Sequence, residues 1–314
     1  MSIRSNFRDR VRKYRNADDL GFSSKIQSTA RTLGKDGMFR VERIGGEKNI
    51  YHYLIDMKWS HFILLVIAGY FLMSCVFALI YQMIGIEHIA GTDKGCWIHE
   101  FSQCYYFSAQ TLTTVGYGAL APKGTITNFI SSIEAVVGLL SFSLATGLFY
   151  GRFIKPSKGF VFSNVAVVNP TMPFPKLMVR VAYKQDNILL DLEVKLLVTF
   201  IVNDEGANKR KYHTLKLETD KVVTLPLNWN LVHEINDTSP LYELSQQDFL
   251  DSNLELILMI KGFSETYGQE LHSRSSWTAD EILWNKKFSM PYTEIPGKLN
   301  VIFDLNKMDA VENA

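Results

Sequence analysis

From Ser60 to Ile86 the chain carries no Asp, Glu, Lys or Arg, a run of 27 residues. At about 1.5 Å of rise per residue, a helix of that length reaches roughly 40 Å, more than the ~30 Å hydrocarbon core of a bilayer. A second uncharged stretch extends from Phe101 to Pro122, and a third, from Gly124 to Gly151, is interrupted only by Glu134. Buried helices of a soluble core rarely need so long a run. A secretory signal would not begin so far into the chain, nor lack a cleavage pattern. These segments read as membrane-embedded.

Charge gives the orientation. Met1 to Lys58 holds 13 Lys and Arg against 7 Asp and Glu, whereas Glu87 to Glu100 holds one Lys and three acids. The positive-inside rule places the amino terminus in the cytoplasm. If the first and third stretches span and the second does not, the carboxyl terminus is cytoplasmic too. The expectation is an integral, multi-pass protein of the cell membrane, the inner membrane in a Gram-negative prokaryote. Over the whole chain 33 basic residues face 32 acidic ones. That balance argues against a nucleic-acid binder and against an acidic solvating tail.

The middle stretch is too polar to face lipid, with Ser102, Gln103, Ser108, Gln110, Thr111, Thr113 and Thr114 before a Gly-Tyr-Gly and Pro122. Irregular backbone at membrane depth survives only where protein or a water-filled cavity surrounds it. The pattern predicts a short re-entrant helix over 101–113, then an extended loop returning to the surface. Outer helix 59–85, re-entrant hairpin and inner helix 125–153 are the minimal layout of a pore.

Residues 113–118 read Thr-Thr-Val-Gly-Tyr-Gly. Four copies of such a loop around an axis line potassium-channel filters, where backbone carbonyls replace the ion's hydration shell. Gly116 and Gly118 can take positive φ, which lets successive carbonyls point the same way. Val115 and Tyr117 turn outward, and the Thr114 hydroxyl adds an innermost ligand. K+ is expected at Thr114, Val115, Gly116 and Tyr117, within a filter of 114–118. One loop per chain requires a homotetramer, since no internal repeat supplies the other three. A voltage sensor is not expected, because no apolar helix has Arg or Lys at every third position.

With these features the chain resembles the inward-rectifier potassium channels, closest to their prokaryotic members. The resemblance covers roughly Ile50 to Lys307. Besides the filter it rests on Asp56-Met57-Lys58-Trp59 before the first helix and Lys155-Pro156 after the second. It also rests on His233-Glu234-Ile235 with Ser239-Pro240-Leu241-Tyr242, and on Arg274-Ser275-Ser276-Trp277 with Glu281-Ile282-Leu283-Trp284. It implies passive, selective K+ conduction, no enzymatic activity and no cofactor. Gating would occur at the inner-helix bundle crossing, modulated by the cytoplasmic domain and by anionic lipid. The competing reading is a non-conducting, membrane-anchored β-sandwich that binds lipid or protein.

Four segments follow: a cytoplasmic arm (1–46), an interfacial helix (47–57), the pore domain (58–155) and a cytoplasmic β domain (156–314). In the second, Ile50, Tyr53, Leu54 and Met57 fall at helical spacing opposite Lys48, His52 and Asp56. The resemblance makes it the slide helix; the alternative is a helix packed on the soluble domain. Steps of four from Glu134 give Gly138, Phe142, Thr146 and Tyr150 as a cavity-lining stripe, unless the aromatics face lipid or the core. By resemblance Gly138 sits at a hinge, Phe142 replaces the acid of strong rectifiers, and Tyr150 lies at the constriction. The acid–arginine pair that braces the family's filter falls on Gln110 and Leu120. Glu134 is left as the one acid of the inner helix, either facing the cavity or hydrogen-bonded behind the filter. Weak or unusual rectification is therefore expected, with any cavity block by Mg2+ or polyamines depending on Glu134.

From about Lys158, short apolar runs alternate with turn residues, which suggests an antiparallel sandwich. By resemblance it is immunoglobulin-like, with Glu205 as a pore-facing acid. Lys58, Trp59, Arg152, Lys155 and Lys158 cluster at the junction, where basic side chains attract anionic headgroups at about 1 kcal/mol each; generic anchoring is the alternative. The arm bearing Arg4, Arg8, Arg10, Arg12, Lys13 and Arg15 reads as a solvated tail. No bridge is expected between Cys96 and Cys104, and the histidines show no metal spacing.

Overall fold

The computed structural model describes residues 31–40, 44–45, 49–155, 159–185, 188–204, 207–294 and 301–314, without side chains at 202–204 and 207–209. Contacts divide the chain into a helical unit, Ile44–Lys155, and a β unit made of Met1–Arg43 with Pro156–Ala314.

The helical unit holds α1 (Ile50–Asp56), α2 (Trp59–Ile84), α3 (Trp97–Leu112) and α4 (Thr125–Ile154). The Asn49 side chain caps α1, accepting from the backbone N–H groups of Tyr51 at 3.0 Å and His52 at 3.4 Å. Residues 47–48 of the expected interfacial helix lie outside the described residues. Among the described residues α2 and α4 are the two helices long and apolar enough to cross a membrane. Their flanks leave Leu64, Leu72 and Leu144 exposed, large apolar side chains that a water-facing surface would avoid.

α3 starts four residues before the expected Phe101 because Glu100 does not end a helix here. It sits in the first turn, where the dipole favours a carboxylate, and accepts from the Gly95 N–H at 3.2 Å. With 16 residues α3 is about 24 Å long, too short to span. Strands β1 (Ile89–Ala90) and β2 (Ala121–Pro122) pair antiparallel, Ile89 opposite Pro122 and Ala90 opposite Ala121. They tie together the two ends of the α3 excursion, so the chain returns to the level it left.

The β unit contains two five-stranded sheets. One joins β11 (Gln269–Thr278), β10 (Glu255–Ser264), β6 (Leu189–Asp204) and β7 (Ala207–Leu215) in that order, with β8 (Lys221–Thr224) also on β6. The other joins β12 (Ile282–Trp284), β4 (Ala166–Asn169), β5 (Lys176–Tyr183) and β3 (Phe160–Phe162), with β9 (Asn228–Glu234) also on β5. Alternate residues of both sheets share one core, including Leu177, Val179 and Val181 from β5 and Val194, Leu196 and Val198 from β6. That arrangement is a β-sandwich, but it is not wholly antiparallel as expected, because β12 runs parallel to β4. A helix, α5 (Gln246–Asp251), is capped by Ser245, and two small ladders pair β13 (Lys286–Phe288) with β16 (Val311–Asn313) and β14 (Tyr292–Glu294) with β15 (Val301–Phe303).

Residues 31–40 are docked on the outer side of the first sheet. Leu33 bridges to Phe39 and is fully buried against Leu197, Tyr212 and Ile257. The buried Arg210 donates to Glu255 at 2.9 Å, and Glu255 accepts from the backbone N–H groups of Thr32 at 2.9 Å and Leu33 at 3.0 Å. Arg4 to Arg15 lie outside the described residues.

Candidate functional site

At the end of α3 the backbone takes an alternating course. Thr114 has φ 60°, Gly116 φ 53° and Gly118 φ 83°. Alternation between left-handed and ordinary residues turns every second peptide over, the local condition for a row of carbonyls on one side. Two glycines adopt this without strain. Thr114 does so against the preference of a β-branched residue, which sequence reasoning did not foresee.

The loop hangs from the helix that precedes it. The Gln110 carbonyl accepts from the N–H groups of Val115 at 3.0 Å and Gly116 at 3.3 Å, and the Thr111 carbonyl from Thr114 at 3.0 Å. With the N–H groups of Thr114, Val115 and Gly116 spent on α3, this part of the loop leaves oxygen for a ligand, and carbonyl oxygen suits hard cations. Val115 and Tyr117 are exposed, Tyr117 at 79%.

Beneath the loop lies a concavity of about 470 Å³. Leu112, Thr113 and Thr114 form its roof, and Gly138, Phe142 and Thr146 lie along its α4 wall. The carboxyl end of α3 is directed to this space, where a helix dipole favours a cation. Tyr150, one turn further, is 67% exposed and outside the lining.

Glu134 departs from the cavity stripe. It is fully buried and accepts hydrogen bonds from Tyr81 Oη of α2 at 2.6 Å and from Ser108 Oγ of α3. A carboxyl group held from two sides behind α3 takes the second of the two expected placements, hydrogen-bonded behind the filter rather than facing the cavity. Gly138 packs directly on α3. It is buried in continuous helix, and a Cβ built there would lie 2.1 Å from the Leu112 carbonyl oxygen.

The basic cluster is corrected at Arg152. Its buried guanidinium donates to the carbonyls of Leu54 at 2.5 Å, Ile55 at 2.9 Å and Met57 at 2.5 Å, which end α1. It also lies over the rings of Trp59 and Phe62, 4.7 and 4.6 Å from their centroids. The side chain is therefore a helix C-cap, not a headgroup ligand. Lys155 pairs with Asp56, whose carboxyl that hydrogen bond holds below the ordinary carboxylate range. Lys58 is exposed beside the half-exposed Trp59, while Lys158 and Glu205 lie outside the described residues. Sequence reasoning missed Tyr81 and Ser108. The matched four-residue steps of Ser108/Leu112 and Glu134/Gly138 were the signal that pairs α3 with α4.

Comparisons with known proteins agree with this layout. Residues 61–155 match the family model described as an ion channel, and residues 160–313 match the inward rectifier potassium channel C-terminal domain. The chain is 31% identical over 287 residues to the inward rectifier potassium channel Kirbac3.1 of Paramagnetospirillum magnetotacticum, covering 90% of this chain and 95% of that protein. It is 24% identical to the ATP-sensitive inward rectifier potassium channel 11 of Mus musculus, over 81% of this chain and 70% of the relative. Against the ATP-sensitive inward rectifier potassium channel 12 of Gallus gallus the figures are 26%, 82% and 66%.

Proposed function

Because the chain belongs to the inward-rectifier potassium channel family and is a potassium channel rather than an enzyme, we propose that it conducts as a homotetramer whose four 114–118 loops surround one axis. The alternating left-handed backbone at 114, 116 and 118, suspended from the Gln110 carbonyl, carries this reading. In it the carbonyls of Thr114, Val115, Gly116 and Tyr117 replace water around K+, with Gly118 closing the loop. The exposed rings of Tyr117 are covered by neighbouring chains. Segment 47–57 lies at the membrane interface, 58–155 forms the pore, and 156–314 forms a cytoplasmic, immunoglobulin-like sandwich. Both termini are cytoplasmic and the chain is multi-pass in the cell membrane.

Phe142 and Tyr150 close the pathway below the filter by excluding water, four rings at each level. Buried Glu134 and the apolar Phe142 leave no acid on the cavity stripe, which supports weak block by Mg2+ or polyamines. Sensitivity to anionic lipid then falls to Lys58 with Trp59, and to Lys155 and Lys158. Liposome flux tests the reading. Potassium uptake that excludes sodium, is stopped by external barium and comes from a cross-linkable tetramer supports it. A monomer, or equal passage of sodium, removes it.

A further inference from the structure

Three helices converge on one carboxyl group. Tyr81 of α2 and Ser108 of α3 both donate to Glu134 of α4, and all three side chains are almost wholly buried. Ser108 lies two residues before Gln110, whose carbonyl holds the N–H groups of Val115 and Gly116. One turn further along both helices, Gly138 of α4 lies against the Leu112 carbonyl. Glu134 on Ser108 and Gly138 on Leu112 are two rungs that fix the height of α3 relative to α4. Around them the Tyr81 ring stands edge-on to Phe107 at 4.9 Å, and Leu120, on the limb leaving the loop, packs against the same cluster. Both limbs of the loop thus lean on the layer that the carboxyl group ties together.

We infer that Glu134, with Tyr81 and Ser108, is the positioning group that holds the filter loop at the height required for selectivity. Discrimination between K+ and Na+ depends on where the loop carbonyls stand and how far they can move. A hydrogen bond to a carboxyl group inside a membrane has no water to compete with it, so its loss frees the helix that feeds the loop. The positions that by sequence resemblance would carry a bracing ion pair hold Gln110 and Leu120. Glu134 anchors the loop from the inner helix instead.

This inference rests on the potassium-channel reading, and the experiment separates the two. Full-length wild type, E134Q, S108A and Y81F are reconstituted in liposomes, and the ratio of rubidium to sodium uptake and the barium concentration for half block are measured. S108A and E134Q are expected to lower the uptake ratio about tenfold and to shift barium block in parallel. Y81F should change both less, since α2 does not lead into the loop. The S108A/E134Q double variant should lose less than the sum of the two single ones, because both substitutions act on the same hydrogen bond. A merely structural role lowers the amount of assembled channel and scales every flux equally. Variants with an unchanged ratio and unchanged barium sensitivity would overturn the inference. If E134Q does not assemble, S108A decides alone, since it keeps the carboxyl group and its bond to Tyr81. A wild type that fails to exclude sodium overturns the channel reading instead.

Discussion

Gly138 and Leu112 are in backbone contact across two helices: a Cβ at Gly138 would lie 2.1 Å from the Leu112 carbonyl oxygen and 2.9 Å from its carbon. Neither atom belongs to a flexible side chain, so nothing can rotate away. The absence of a side chain at Gly138 is therefore a packing requirement of the α3–α4 interface.

Gly138→Ala is expected to cost about 2 kcal/mol or more, the range of overpacking in a well-fitted core. It should also displace the last turn of α3 and with it the loop. Gly69→Ala on α2, where nothing lies within 4 Å of the added atom, should leave stability unchanged or raise it slightly. Melting of the detergent-solubilised protein, with ion flux on the same preparations, checks both. A Gly138→Ala channel with wild-type melting and selectivity would refute the contact argument.

Arg152→Lys is not conservative here. The planar fork serves three carbonyls and two rings at once, which a single ammonium cannot. About 2 kcal/mol should be lost. Amide exchange across α1 should accelerate markedly, while Lys58→Gln leaves it unaltered. Hydrogen-exchange mass spectrometry of residues 50–56 reads the difference.

The Arg210–Glu255 pair is buried, with both side chains nearly inaccessible. Glu255→Gln should destabilise the β unit by roughly 3 kcal/mol, because it removes the carboxylate paired with a buried guanidinium and weakens the acceptor for two backbone N–H groups. Protection of the Thr32 and Leu33 amides should fall before the sheets themselves open. Replacing both residues by Met should cost less than Glu255→Gln alone, and a double variant less stable than the single one would contradict this account.

His233 gives the β unit a pH dependence. Its Nδ1 lies 2.7 Å from the Lys216 carbonyl and its Nε2 2.7 Å from Ser239 Oγ, so a neutral ring donates at the first and accepts at the second. Burial pushes its pKa below the ordinary 6.5. The contribution of the neutral ring is complete above 6.5 and is lost as pH falls from there through the depressed folded value. Wild type should melt earlier at about pH 5.5 than at about pH 7.5, and His233→Gln should flatten that difference while melting lower at the higher pH. An identical slope in both proteins would remove His233 as its source.

Much of the molecule was legible in one dimension because membranes and sheets impose short-range rules. Uncharged runs marked α2 and α4, polar residues marked α3 as non-spanning, and Gly116 and Gly118 marked the loop's left-handed positions. Strands with alternating or continuous apolar residues, such as β5 and β10, were readable for the same reason. β9 and β11 were not, since the alternation of Trp229 and Leu231 in β9 is carried on by the polar His233, and the run Gln269–Ser276 of β11 has too few apolar residues to show a period.

Composition and periodicity along the chain marked which segments are apolar enough to enter a bilayer, where glycines let the backbone of the 114–118 loop take left-handed turns, and that a β domain follows. Only the tertiary structure decided what the polar side chains do, because a partner distant in sequence has no spacing to betray it. Glu134 meets Tyr81 and Ser108, 53 and 26 residues away. Arg152 reaches carbonyls almost a hundred residues back, the farthest 98 positions earlier. A carboxylate or guanidinium on a helix reads alike whether it faces an ion, a lipid or another helix; what distinguishes the cases is which hydrogen-bond groups the fold brings within 3 Å.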